Sequence, residues 1–431
     1  MKYVYSISIV LFLSVFSLAI DAYHVFDTYN RPYGQLSPYG LTRQTPEHIV
    51  RIPTSTLTEV ISLDRGLLFD SCKWDYIVYG YADAIFDYQH GWNGDKKFFS
   101  LNEFLASAYR DVCGGTLHAR ALLSLEPGTV GKCGYPLLFA TGGTADCITL
   151  LCDRFHTRDF FSELALTYAY PVKTNGLLFG YVGYPGVPCL GPLPEQLISS
   201  FYIPEGRLTQ KWLDSAYTSF GVITGGFQGK RMRIEGSVFT GNEPDEKHWG
   251  FERPHMRSAS ARISVFPTHN WIGQVGYGFI HSPDQLEPDV DIHRITATVS
   301  YLASTDTTVF QVLGAWGINI YSPGDLSNAL LLESSFNWCN KHILFGRFEH
   351  VEPCDLLARE ACCDAQSFMC ASNVRTVNKL LGGYRYQIPT QYHLLWSAGF
   401  SAGVALPDQV LERAYGRNLF SYFLFVRVEL I

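Results

Sequence analysis

Residues 418–431 read NLFSYFLFVRVELI, a run rich in Phe, Leu and Val that nevertheless carries Arg427 and Glu429 near its end. Alternate residues separate cleanly. Phe420, Tyr422, Leu424, Val426, Val428 and Leu430 fall on one face, and Ser421, Phe423, Phe425, Arg427 and Glu429 on the other. A period of two is that of a β-strand. Charges on one face would be costly in a dry core but cost little against water. The terminal strand is therefore expected to stand between an apolar solvent and an aqueous one.

The same alternation recurs upstream. In MRIEGSVF, Met232, Ile234, Gly236 and Val238 oppose Arg233, Glu235 and Ser237, with Arg231 just ahead on the polar side. In TLHARALLSL, Leu117, Ala119, Ala121, Leu123 and Leu125 oppose His118, Arg120 and Ser124. Charged residues make up only 17% of the 431-residue chain and aromatics 15%, while mean hydropathy is near zero. That average hides apolar residues concentrated on alternate positions. A net charge of −7 without a basic tract argues against a nucleic-acid partner.

The N-terminus has the form of an export signal. Lys2 precedes the apolar run VYSISIVLFLSVFSLA, and Ser17 and Ala19 suit the −3 and −1 cleavage positions, with Ala22 an alternative end. The rival is an uncleaved N-terminal anchor. After residue 22 no apolar run approaches the length of a spanning helix, which excludes a helical membrane protein.

From Trp74 onward the chain divides into segments of β character near 74–88, 97–109, 116–126, 159–171, 176–184, 213–226, 230–240, 258–266, 271–281, 292–303, 308–321, 327–337, 342–351, 375–387, 391–404 and 418–431. The connections alternate between tight turns and long loops, the long ones near 127–158, 185–212, 241–257, 352–374 and 405–417. Antiparallel pairing then puts the long loops on one side, and the turns and both termini on the other. This predicts an all-β fold, a transmembrane antiparallel barrel of about sixteen strands in a bacterial outer membrane, with short periplasmic turns and long external loops. The expected organisation is a signal peptide (1–22), an irregular N-terminal segment that is periplasmic or a plug (23–73), and the barrel (74–431). An exported soluble sandwich or β-helix is the rival, but it gives no reason for loops to segregate by length.

The stretch GYPLLFATGGTADCITLLCDRFHTRDFFSELALTYAYP (134–171), with GTLHARALLSLEP, VGYPGVPCLGP, LTQKWLDSAYTSFGV, GSVFTGNEPDEKHW and PTHNWIGQVGYGFIHSPDQLEPD, resembles a family of uncharacterised exported β-barrel proteins of Gram-negative bacteria. The resemblance spans about residues 115–303 and implies a porin-like barrel of unassigned role. Where that family carries a His-rich D-R-x-H-P-H-D pattern, this chain has DRFHTRD, keeping His156 and replacing the second His by Arg158. Its LTHHW is LTQKW here. A metal site inferred from those histidines is mostly dismantled, so no metal and no cofactor is expected.

Inward positions expected to line a pore are Arg120, Arg231, Arg233, Glu235, Arg262, Arg294, Arg347, Glu349, Arg375, Lys379, Arg385 and Arg427. Further carboxylates, among them Asp83, Asp87, Glu163, Glu333 and Glu429, nearly balance them in sign. They either set what passes or merely brace the wall. Sixteen strands enclose more space than side chains fill, so a channel is expected unless something plugs it. The 127–158 loop, with its apolar GYPLLF, is the leading plug and the 23–73 segment its rival.

Asp153, Arg154, His156 and Asp159 form a candidate loop cluster, for a ligand or, more simply, for pinning the loop. His248 and His255 could hold a metal with Glu246 or Glu252, but a loop enforces no geometry on them. No GxSxG occurs, and His118 and Ser124 both point inward, so no enzyme is expected.

Eleven cysteines in an exported chain favour disulfides. The candidates are the external-loop residues Cys133, Cys147, Cys152, Cys189, Cys354, Cys362, Cys363 and Cys370. They bridge either within the chain or between barrels, as in the cysteine-rich major outer-membrane proteins of chlamydia-like bacteria, an analogy of composition. The expected function is a porin-like channel for passive diffusion of small solutes. Alternatives are a disulfide-linked structural envelope protein and a surface receptor or adhesion barrel. Expected partners are outer-membrane lipid, small solutes and possible disulfide-bonded neighbouring barrels, with no nucleic acid.

Overall fold

A computed structural model describes residues 67–71 and 74–430, apart from 142–143, 145–150, 173–175, 193–201, 214–217, 246, 269, 285–286, 306, 355, 357–373 and 389–393. The expected signal peptide and residues 23–66 lie outside the described residues. The strands open with β1 (Leu67–Ser71), β2 (Trp74–Gln89), β3 (Lys96–Phe99), β4 (Asn102–Val112), β5 (Gly115–Leu123), β6 (Tyr135–Pro136) and β7 (Arg154–Phe155). They continue with β8 (Phe161–Val172), β9 (Gly176–Gly183), β10 (Val222–Gly229), β11 (Met232–Phe239), β12 (Ser258–Val265), β13 (Trp271–Ile280) and β14 (Asp291–Ser304). Then follow β15 (Thr308–Ser322), β16 (Leu326–Trp338), β17 (His342–Val351), β18 (Val377–Ile388), β19 (Leu394–Pro407) and β20 (Leu419–Leu430). Three short helices interrupt the loops: α1 (Glu126–Thr129), α2 (Gln210–Leu213) and α3 (Gln409–Tyr415).

β6 and β7 pair only with each other; the other strands form one 18-stranded sheet, in which β1 and β3 are short stubs beside β2 and the remaining sixteen make a closed antiparallel wall. Closure is made by β20 against β2, from Gly80↔Leu430 to Gln89↔Ser421. Every backbone group in the wall can then pair across strands, which is what lets a sheet stand in lipid. Among the described residues no helix is long and apolar enough to cross a membrane. The strands do the crossing.

The outer face carries the greasy half of each alternation. Leu166, Val182, Ile223, Ile234, Ile263, Val275, Leu332, Leu344, Leu380, Leu424 and Val426 are all exposed. Tyr170, Trp271, Tyr301, Phe310, Trp338, Tyr386 and Trp396 sit towards the ends of their strands nearest the short turns, forming the aromatic girdle of a membrane interface. Closure and this apolar band place the protein in a bacterial outer membrane.

Several boundaries differ from expectation, each for a local reason. The run expected at 97–109 splits into β3 and β4 at Ser100–Leu101, where the Asp83 N–H donates to the Leu101 carbonyl and Asn102 turns aside to hold Leu125 and Thr129. The strand expected from 213 begins at Val222, because the apolar Trp212–Leu213 belongs to α2 inside the barrel. The 391–404 run shifts to 394–407, and the tail of the expected irregular segment forms β1. Arg231 lies in a turn and is exposed, and Arg375 precedes β18 and is half-buried. Neither is a wall position.

Candidate functional site

The inward wall positions carry several separate clusters of ion pairs. At the seam, Arg427 grips Asp83 with both edges of its guanidinium, Nε–Oδ1 at 2.6 Å and Nη2–Oδ2 at 2.5 Å, and stacks on Tyr81. Arg385 reaches across β19 to Glu429 at 2.6 Å. Arg347 meets its cross-strand neighbour Glu333 at 2.9 Å, and Arg262 meets Glu235 at 2.9 Å in the same way. Arg120 binds Glu163 at 2.7 Å, and Arg233 lies 3.3 Å from Glu235. Strand pairing places Asp83, Glu333 and Glu235 directly opposite Arg427, Arg347 and Arg262, because inward residues of adjacent strands stand opposite one another. Arg120 meets Glu163 on the diagonal, and Arg233 meets Glu235 along its own strand.

These charges are not bathed in water. Arg233, Arg262, Arg294, Arg347, Lys379, Arg385 and Arg427 are each at most 3% exposed. Two external loops fill the space in front of them. The described residues of the 184–221 loop are fastened to the inner wall at Cys189–Gly191 and at Glu205–Trp212. The Cys189 N–H donates to Ser237 Oγ at 2.8 Å, and Arg262 Nη1 to the Gly191 carbonyl at 2.6 Å. Arg347 Nη1 donates to the carbonyls of Glu205 and Gly206, at 3.0 and 2.8 Å, while Lys379 pairs with the Glu205 carboxylate. Thr209 donates from both N and Oγ1 to Glu349 Oε1, at 3.0 Å each. Trp212 Nε1 donates to Ser327 Oγ, and Arg294 to the Lys211 carbonyl. The loop is thus bonded to Ser237, Arg262, Arg294, Ser327, Arg347, Glu349 and Lys379, on β11, β12, β14, β16, β17 and β18.

The 124–160 loop enters beside it. Its GYPLLF stretch is buried, with Leu137, Leu138 and Phe139 packed among inward residues including Leu331, Val351 and Val377. Tyr135 stacks on Phe99 and meets Phe423 of the terminal strand edge-on. Gly134 has φ +61°, and an added Cβ would lie 2.0 Å from the Phe155 carbonyl oxygen, so glycine is required where β6 approaches β7. The two loops also hold each other. The Gly206 N–H donates to Tyr135 Oη at 2.9 Å, and Gln210 Nε2 donates to His156 Nε2 at 3.1 Å.

The expected cluster of Asp153, Arg154, His156 and Asp159 does not converge. Asp153 accepts from the Phe139 N–H and from the Tyr415 hydroxyl, Arg154 reaches Asp95, His156 meets Gln210, and Asp159 meets His248. Each residue ties the 124–160 loop to a different neighbour. Among the described residues no three His, Cys, Asp or Glu side chains gather in a way that could hold a metal. His255 uses its N–H on Thr240 Oγ1, and Glu252 accepts from the Asp245 N–H.

The base of the same loop holds a residue that the sequence did not single out. Glu126, at the start of α1, is buried, and burial pushes its carboxyl up to about 7 against the opposing pull of Arg158. The Arg158 N–H donates to Glu126 Oε2 at 3.0 Å, and its guanidinium pairs with Glu103. Glu205, Thr209 and Trp212 were also missed. The only signal was an apolar Trp-Leu pair in a stretch that otherwise reads as strand.

The disulfide framework needs correction. Cys113, Cys133, Cys189 and Cys339 are free thiols, and no disulfide joins two described cysteines. Cys354 is disulfide-bonded, whereas Cys147, Cys362, Cys363 and Cys370 lie outside the described residues and Cys152 is half-buried. Cys189 fails as a loop staple because it is seated against the wall, its sulfur 3.6 Å from the Ser260 carbonyl. The analogy with cysteine-rich envelope proteins has no support in these contacts.

No known family profile matches the chain, and no curated protein matches it. Solved structures do. OmpF of Salmonella typhi, solved in complex with daunomycin, superimposes with a TM-score of 0.53 at 8% identity, covering 84% of this chain and 100% of that one. The outer-membrane channel DcaP of Acinetobacter baumannii gives 0.48 at 10% identity over 84% of this chain and 99% of that one. OprB of Pseudomonas putida gives 0.49 at 9% identity over 83% and 94%. The likeness to OmpF shows the fold, a sixteen-stranded outer-membrane barrel, and nothing finer.

Proposed function

We propose that this barrel is a porin-like passive channel of narrow bore, in which the 184–221 and 124–160 loops form the constriction. The observation that supports it most directly is the fastening of the 184–221 loop onto Arg262, Arg294, Arg347, Lys379 and Glu349. A barrel whose only role was structural has no need of a loop held against its inner wall by buried charges. Arg120, Arg233, Glu235 and the other inward ion pairs line the path, with Arg385 and Arg427 towards its periplasmic end. Because each cation has a carboxylate or carbonyl beside it, the wall presents little net charge. Small solutes of either sign are therefore expected to pass, sorted by size.

No catalytic role belongs to this reading. His118 stacks face to face on Tyr109, 4.2 Å between ring centres, while Ser124 donates to the Asn102 carbonyl. Neither forms a nucleophile–base pair. Purified, folded protein in a planar bilayer tests the proposal: small, discrete conductance steps with weak ion selectivity are expected. A folded, inserted barrel that never conducts overturns it.

A further inference from the structure

A cleft opens on the external side of the 184–221 loop, between that loop and the external ends of β11, β13, β14 and β15. Counted to its open mouth it holds about 710 Å³, a size that can enclose a small organic molecule. One side is apolar, where Leu190 of the loop packs with Phe239, Ile280 and Ile292 of the wall. The charges in the lining are sorted by element. Glu243, Asp284 and Glu287 come from the β11–β12 and β13–β14 loops, whereas Lys211 comes from α2 and Arg294 from the inner wall.

The walls of the cleft are fixed by their own bonds. The Glu243 N–H donates to the Pro283 carbonyl at 2.8 Å, and Asn242 Nδ2 to the Ser282 carbonyl at 2.6 Å, which ties the two acidic loops together. His281 Nδ1 meets Asp291 Oδ1 at 2.8 Å where the second loop joins β14. On the inner side Arg294 donates through Nε to Asn319 Oδ1 at 2.8 Å and through Nη2 to the Lys211 carbonyl at 2.5 Å. Tyr321 also belongs to the lining; it is 5% exposed, and its hydroxyl has no hydrogen-bond partner among the described residues. A site ordered in advance loses little freedom when a ligand enters.

We infer that this cleft is a recognition subsite for zwitterionic solutes with an apolar body, the chemistry of a short apolar peptide. The ammonium group faces Glu243, Asp284 and Glu287, the carboxylate faces Lys211 and Arg294, and the side chains lie on Leu190, Phe239, Ile280 and Ile292. A plain anion meets three carboxylates there, and a plain cation meets Lys211 and Arg294. A molecule carrying both charges is favoured over either. The inference rests on the channel reading and adds to it a preference among solutes of one size. A solute held in the cleft is concentrated at the approach to the constriction.

Equilibrium dialysis of the folded, full-length protein in detergent tests this, with L-leucyl-L-leucine as the probe. Saturable binding at one site per barrel is expected. N-acetyl-leucinamide keeps an apolar body without either charge, and glycylglycine keeps both charges without the body. Each should bind about tenfold more weakly, or worse. The variants Lys211→Met and Asp284→Asn/Glu287→Gln, checked for folding by heat-shifted gel migration, should each weaken leucyl-leucine binding by about tenfold. No saturable binding to the wild type, equal binding of the three probes, or folded variants that bind leucyl-leucine as the wild type does overturn the proposal. The readout is binding rather than current, so the two readings fail separately. A barrel that conducts without binding overturns the subsite alone, and one that binds without conducting overturns the channel.

Discussion

Replacing Arg347 by Met tests whether the 184–221 loop is the constriction. Arg347 Nη1 donates to two loop carbonyls, those of Glu205 and Gly206, at 3.0 and 2.8 Å. A hydrogen bond from a charged donor contributes about 1.5–3 kcal/mol net. Thr209 still binds Glu349, and Trp212 still binds Ser327, so the loop is loosened rather than freed. Losing both bonds weakens its hold by about 3 kcal/mol, which shifts the packed-to-released ratio roughly 150-fold. Arg427→Met is the control: it removes a guanidinium just as buried, but one that is gripped by Asp83 in the wall. Single-channel recording reads the outcome. R347M should show larger or more frequent openings than wild type, whereas R427M, whose main partner is in the wall and not in the loop, should lose unfolding stability without that gain in openings. A folded R347M with wild-type conductance refutes the reasoning, as does an R427M that conducts like R347M.

Other expectations follow from single contacts. Asp83→Leu leaves Arg427 buried without its main partner and should cost about 3–5 kcal/mol, much of it recovered in the Asp83→Leu/Arg427→Met double variant; urea midpoints in detergent decide, and additive losses would argue against a coupled pair. Glu126 titrates near 7 when buried, well above its ordinary 4.5. The loop's anchorage is therefore strongest in acid and loses about 3 kcal/mol as pH rises from about 4.5 to 7, with little further change above 7. Conductance should increase between about pH 4.5 and 7 in the wild type and stay flat in Glu126→Gln; an equal slope in both removes Glu126 as the cause. A membrane-impermeant maleimide should label exposed Cys133 in the folded protein and miss Cys189, whose thiol burial pushes up, until the barrel is unfolded. Peptide mass mapping checks this, and labelling of Cys189 in the folded state would contradict its wall contact.

The wall was legible because a strand in a barrel has only two faces, and a period of two assigns every residue to one of them. Met232, Ile234 and Val238 went to lipid and Arg233 and Glu235 inward from spacing alone. The GYPLLF run was legible for a related reason, since an apolar stretch in an external loop has no lipid to meet and must go inside. The partners were not legible. Arg427 and Asp83 lie 344 residues apart, and only closure of the sheet brings them together. The run from 213 misled because α2 puts Trp212 and Leu213 into a buried environment that imitates a strand's. Asp153, Arg154, His156 and Asp159 looked like one site because they are close in sequence. An irregular loop points neighbours in different directions, and these four each found a separate partner.

The grip between Arg427 and Asp83 also bears on how the barrel is assembled. β20 closes the wall against β2, joining the two ends of the sixteen-strand order. A slip of one residue in that pairing would turn every side chain of β20 to its opposite face. Arg427 and Glu429 would then enter lipid, and Leu424 and Val426 the lumen. The two charges that look out of place in NLFSYFLFVRVELI therefore act as a proofreading mark, allowing the final strand to dock in one register only.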